Sequence, residues 1–117
     1  MASLTLYGLP TCDTCRKARR ALEEAGHEVA FRDVRAAPLS DAEWAPLLAE
    51  FGDALVNRKS TTWRGLSDWM KASEAEDQLK AHPALMKRPV IAGEAAGGAA
   101  LTLGWDEKAQ GVWGIGA

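Results

Sequence analysis

Two cysteines one helical turn apart, Cys12 and Cys15, stand in the stretch Gly8-Leu9-Pro10-Thr11-Cys12-Asp13-Thr14-Cys15-Arg16-Lys17. An apolar run from Leu4 to Tyr7 precedes them and a helical pattern follows, which puts both at a strand-to-helix turn. The first turn of a helix leaves its backbone N–H groups unpaired and carries the positive end of the helix dipole, so a thiolate at Cys12 is stabilised there. Such placement lowers a cysteine pKa from about 8.5 to roughly 3.5–7.5, and the thiolate is the nucleophile of disulfide exchange. The chemistry predicted is attack through Cys12, with release by Cys15 or by an outside thiol. A zinc site would need His27 and His82, the only two histidines, as its other ligands; their spacing fits no zinc pattern, so no metal is expected. A static disulfide across so short a loop would stabilise little.

The elements that must position this pair follow in order. Leu4 to Tyr7 reads as a strand, Asp13 to Ala25 as a helix with Ala18, Ala21, Leu22 and Ala25 on a narrow face of small residues, and Gly26 as its stop. Glu28 to Val34 is a second strand, and strand-helix-strand implies parallel pairing. Beyond Pro38, Ser40 with Glu43 forms a capping box and Leu39 with Trp44 a hydrophobic staple, starting a helix that ends at Gly52 and that Pro46 should bend. Asn57 to Leu66 is polar and aperiodic, a loop that binds or shields something. Ser67 caps a short turn, and Ser73 with Glu76 reads as a second capping box for a helix that Pro83 ends. Pro89 to Ala92 and Ala100 to Leu103 are strands of a hairpin joined by the glycine- and alanine-rich Gly93–Ala99. A short helix from Asp106 to Gln110 follows, and residues 111–117 read as a loose C-terminal tail.

At 117 residues the chain is expected to form a single domain, 1–117, able to bury a core without disulfide staples. A net charge of −2 gives no basic field for nucleic acid. The first residues lack a charged start and a long apolar stretch, and no segment approaches membrane-spanning length, so a cytoplasmic protein without membrane contact is predicted. In a reducing compartment two cysteines so close read as redox-active. Arg16, Lys17, Arg19 and Arg20 crowd the start of the first helix. Arg19 and Arg20 pair by spacing with Glu23 and Glu24 on a solvated face, which leaves Arg16 as the contributor to the Cys12 site.

The order βαβ, helices, ββα, with Cys-x-x-Cys at the first βα turn, resembles the thioredoxin-like α/β fold: a mixed four-stranded sheet with a helical insertion, here 38–84, between its halves. That likeness implies a cis proline facing the reactive cysteine, and Pro89 matches by position. Three stretches, Leu6-Tyr7-Gly8 to Arg20, Asn57 to Leu66, and His82 to Ile91, resemble the family of glutaredoxin-dependent arsenate reductases and Spx regulators, most of all its YffB-like branch. The resemblance implies a glutathione-dependent thiol–disulfide oxidoreductase with catalytic Cys12, Cys15 and Arg88. Thr11, Arg16, Asn57, Arg58, Lys59 and Pro89 fall on the glutathione or substrate side. Glutathione is then a co-substrate, no cofactor is tightly bound, and glutaredoxin is a further partner. In arsenate reductases of this type three arginines hold the oxyanion. Arg88 matches the middle one, whereas the first falls on Asn57, next to Arg58, and the third near Leu103. An Spx-like regulator binding RNA polymerase is the other alternative. Cys15 reads either as a resolving cysteine or as a small residue packed toward the sheet, and Trp63 as cover for the site or as core.

Overall fold

Burial alternates along Leu4-Thr5-Leu6-Tyr7, the period of a strand with one face inward. In the computed structural model, which describes residues 3–95 and 98–115, this strand is β1, Ser3–Gly8. The chain divides into two compact units, one of Met1–Asp33 with Arg88–Ala117 and the other Val34–Lys87. Among the described residues no helix is long and apolar enough to cross a membrane.

In the first unit β1 leads into α1, Asp13–Glu24, and then into β2, Glu28–Asp33, which runs parallel to β1 with Leu6 opposite Phe31. Strand β3, Val90–Ala95, lies antiparallel on the other side of β1 with Tyr7 opposite Val90, and β4, Gly98–Leu103, pairs antiparallel with β3. The sheet order is β2-β1-β3-β4, the mixed four-stranded sheet of a thioredoxin-like α/β fold. Its core gathers Leu4, Leu6, Cys15, Ala18, Leu22, Ile91 and Trp113, and the small Ala18 and Cys15 let α1 lie close on the sheet. On the outer face of α1, Arg19 pairs with Glu23 at 3.6 Å and also lies over the Phe31 ring.

The hairpin strands run further into the glycine- and alanine-rich stretch than their composition suggests. Pairing continues out to Ala95 with Gly98, because a bonded neighbour supplies what weak strand propensity does not. The expected loose tail is corrected more sharply. Helix α6 covers Glu107–Val112 with Asp106 as its cap, and Trp113 is only 3% exposed. The Trp113 indole N–H donates to Thr102 Oγ1 at 2.9 Å, and His27 Nε2 donates to its carbonyl at 2.8 Å. Ile115 packs on the same core. The apolar residues that tie this end down are separated by glycines and show no helical or strand period. Residues 116–117 lie outside the described residues.

The second unit contains the expected helical stretch. Its α2, Asp41–Phe51, starts with both bonds of the capping box, Ser40 N–H to Glu43 Oε1 at 2.9 Å and Glu43 N–H to Ser40 Oγ at 3.2 Å. Leu39 and Trp44 of the staple are both buried. Pro46 sits inside the helix where its missing N–H would have met the Ala42 carbonyl; both residues are exposed, so the break falls on the solvent-facing side of the helix. Short helices α3, Thr61–Arg64, α4, Asp68–Lys71, and α5, Ala75–Ala81, follow, the first two capped by Ser60 and Ser67.

Ser73 does not cap α5. Its hydroxyl donates to the Met70 carbonyl at 2.6 Å, and Glu74 is the cap position. The cause is Gln78, 2% exposed, whose amide N–H groups reach the carbonyls of Met70, Lys71 and Ser73 and draw the α4–α5 corner into a different turn.

Trp113→Ala is expected to lower the unfolding free energy by about 3–5 kcal/mol, the cost of emptying a buried aromatic site. It is read as a lower urea midpoint. Trp69→Ala, at a position 76% exposed, should move it by less than about 0.5 kcal/mol.

Candidate active site

The turn between β1 and α1 carries the chemistry, and its backbone explains why. Cys12 occupies the N-cap position of α1 in an extended conformation (φ −86°, ψ 118°), with its N–H bonded to the Leu9 carbonyl at 3.0 Å. A serine or aspartate in this position would accept from the backbone N–H two or three residues on. Here the third residue is Cys15. The neutral Cys12 side chain makes no capping hydrogen bond, but its thiolate draws on the Cys15 N–H.

Partial burial pushes the Cys12 thiol pKa up. The Cys15 N–H, the Cys15 thiol and the Arg88 guanidinium, by hydrogen bond and by charge, together outweigh it and hold Cys12 below its ordinary value. Half-exposed and thiolate-prone, Cys12 meets both requirements of a reactive cysteine.

Cys15 is its opposite. Fully buried, its thiol is pushed up to about 12 chiefly by loss of solvent, with the Cys12 thiol and charge adding to the rise. The Leu9 N–H and the Arg88 charge offset only part of this. At neutral pH Cys15 is therefore a thiol that donates a hydrogen bond to Cys12.

Arg88 reaches the site through the sheet. The pairing of Tyr7 with Val90 sets the residues just before β3 beside the end of β1, although they are about eighty residues away in the chain. The Arg88–Pro89 bond is cis, as the resemblance implies, and the buried Pro89 accepts from the Gly104 N–H at 2.9 Å. Thr11 is exposed in the turn.

Arg16 is corrected: its guanidinium pairs with Asp13 on the exposed side of the first turn, and the cation that acts on Cys12 is Arg88. Asp13, a like charge to a Cys12 thiolate, is partnered by the same pair.

Asn57, Arg58 and Lys59 gather in the second unit. Asn57 Oδ1 accepts from the Lys59 N–H at 3.0 Å, a local turn, and the Arg58 guanidinium lies 5.5 Å from the centre of the half-buried Trp63 ring. With Asp53, Val56 and Lys87 they line an open groove of about 620 Å³. The three cations suit an anion, while the asparagine side chain is engaged by its own turn. Among the described residues no three of His, Cys, Asp and Glu cluster as metal ligands.

Sequence reasoning missed the part played by Leu9, which holds Cys12 through its carbonyl and faces the Cys15 sulfur with its N–H. Backbone groups leave no trace in residue type.

A thioredoxin-like sheet with a depressed, N-terminal helix cysteine defines a thiol-chemistry protein. The chain belongs to the ArsC family, which matches it over residues 7–110. It is 37% identical over 110 residues to a Haemophilus influenzae protein of uncharacterised role, covering 90% of this chain and 93% of that one. It is 35% identical over 99 residues to the Bacillus subtilis global transcriptional regulator Spx, covering 78% of this chain and 74% of Spx. Among solved structures the YFFB (PA3664) protein superposes with a TM-score of 0.78 at 31% identity, covering 92% of this chain and 96% of that one. Family membership and the Spx relatives support a thiol-based redox role.

The two thiols bear on stability in opposite directions. The lowered Cys12 thiol favours the folded state above the ordinary thiol value of about 8.5, and that contribution is lost as pH falls through its lowered folded value. The raised Cys15 thiol favours folding fully below about 8.5 and loses that contribution as pH climbs toward about 12. Alkylation of folded protein across pH should therefore modify Cys12 alone, with an inflection below the ordinary thiol value, and should reach Cys15 only after denaturation. Modification of both at one rate would refute this division of roles.

Proposed function

We propose that the protein is a glutathione-dependent thiol–disulfide oxidoreductase with Cys12 as its nucleophile. The observation that carries the reading is the convergence of the α1 N-terminus, the Cys15 thiol and Arg88 on one partly exposed sulfur. The Cys12 thiolate attacks the glutathione sulfur of a mixed disulfide; a Cys12–glutathione disulfide forms as the old S–S bond breaks, and the substrate leaves as its thiol after taking a proton. A second glutathione thiolate attacks the Cys12–glutathione bond, releasing oxidised glutathione and returning the Cys12 thiolate.

Burial and a high pKa favour Cys15 as the donor that stabilises this thiolate, with an outside thiol as the resolving group. Thr11, next to Cys12 in the turn, and Pro89, next to Arg88, are assigned to the substrate side, and in the second unit the cations Arg58 and Lys59 carry the charge that a carboxylate calls for. Glutathione is the co-substrate, glutaredoxin an alternative reductant, and a reducing cytoplasm the compartment in which this cycle runs.

Arsenate reduction is less well supported: by the resemblance two of the oxyanion-binding arginines fall on Asn57 and near Leu103, where no arginine stands, and Leu103 is paired in the sheet with Val90. The likeness to Spx favours a second reading, a redox-regulated protein that binds RNA polymerase. Recovery of RNA polymerase on this protein from oxidised but not reduced extract would favour it.

Mass spectrometry after exposure to oxidised glutathione tests the catalytic reading. A Cys12 adduct that glutathione removes is expected in wild type and in Cys15→Ser, and none in Cys12→Ser. Loss of the removable adduct in Cys15→Ser would instead make Cys15 essential, and no adduct in wild type would end the reductase reading. Arg88→Met should move the Cys12 alkylation inflection upward by about one pH unit, a tenfold loss of thiolate at fixed pH below both inflections.

A further inference from the structure

Gly8 ends β1 in a backbone conformation open to any residue; it is not among the glycines with positive φ. Conformational freedom therefore does not account for a glycine here. Space does. A Cβ built on Gly8 would stand 2.5 Å from Cys15 Sγ and 3.3 Å from Cys15 Cβ, with Leu6 Cδ2 also at 3.3 Å. Real Cβ atoms do not come that close to sulfur, so even an alanine at position 8 must displace the Cys15 side chain.

The sulfur thus lies in a slot floored by the Gly8–Leu9 peptide. The Leu9 N–H faces it, Cys12 lies within hydrogen-bond reach, and no part of Cys15 is exposed. Leu9 also holds Cys12 by its carbonyl, so the same two-residue backbone sets the place of both sulfurs.

We propose that Gly8 is a positioning residue for the Cys12 nucleophile: the absent side chain at position 8 is the slot that keeps the Cys15 thiol in hydrogen-bonding contact with Cys12. The inference rests on the reading of Cys12 as nucleophile, and adds that position 8 tunes it through Cys15. Filling the slot with one methyl group forces the Cys15 sulfur away and withdraws its hydrogen bond. The Cys15 backbone N–H and Arg88 remain, so the effect is partial.

The test is the pH dependence of Cys12 alkylation, followed by mass spectrometry, in wild type, Gly8→Ala, Cys15→Ala and the double variant. Gly8→Ala and Cys15→Ala are each expected to raise the inflection by the same amount, on the order of half to one pH unit, or a roughly threefold to tenfold loss of thiolate at fixed pH. The double variant should add nothing to either. A Gly8→Ala inflection equal to wild type, or a double variant in which the two shifts add, overturns the proposal.

If Gly8→Ala does not fold by circular dichroism, the slot requires that the double variant, lacking the sulfur, folds; failure of both overturns it. The Cys15 ¹³Cβ resonance separates this inference from the reductase reading. It must move in Gly8→Ala whatever the glutathione adduct experiment shows, and an unmoved resonance refutes the slot even where the adduct forms.

Discussion

The contact between the Cys15 sulfur and the Gly8–Leu9 peptide joins the end of the central strand to the first turn of α1. It is a packing contact and an electrostatic one at once. The sulfur fills the space a side chain at position 8 would take, and in that dry place it stays protonated, so that it faces Cys12 as a donor. Burial of one thiol thus favours ionisation of the other. Two cysteines of the same type, three residues apart, acquire opposite roles because one faces the sheet and the other faces outward at the helix start.

The sheet supplies the rest of the site. A parallel β1–β2 pair fixes the edge from which α1 departs, and the antiparallel β1–β3 pair brings Arg88 and Pro89 to the same end. A guanidinium near the sulfur adds charge and a hydrogen bond that a residue on α1 does not provide, since Arg16 is engaged with Asp13. The C-terminal segment secures this arrangement from within the same core. Trp113, bonded to Thr102 on β4 and to His27 before β2, closes the core into which Cys15 is packed. The second unit carries its own order in the α2 capping box and the Gln78 amide.

Local features were legible wherever local physics decided them. The Ser40–Glu43 box, the glycine stops and the Ser67 cap involve residues within a turn of one another, and each formed where the pattern stood, whereas the Ser60 cap of α3 lies in the stretch read as a loop. The Ser73–Glu76 pattern has the same local form and failed, because Gln78 offers the neighbouring carbonyls a buried partner that the local pattern does not include. The tail was misread for a related reason. Isolated apolar residues among glycines have no period, and what orders Trp113 is a hydroxyl on one strand and an imidazole before another. Arg88 and Pro89 were reached by family resemblance, since nothing in their own neighbourhood points to Cys12.

By itself the sequence determined that a cysteine would stand at a helix start after a strand, that strand, helix and strand would form a parallel unit, and that the middle of the chain would be helical. Those outcomes follow from residue periodicity, turn residues and caps, which act over a few residues. Only the tertiary structure decided that Cys15 is buried against the Gly8–Leu9 peptide, that Arg88 rather than Arg16 acts on the Cys12 sulfur, and that position 8 has no room for a side chain. Each depends on desolvation and on hydrogen-bond partners drawn from strands far apart in the chain, and such quantities exist only once the sheet has assembled.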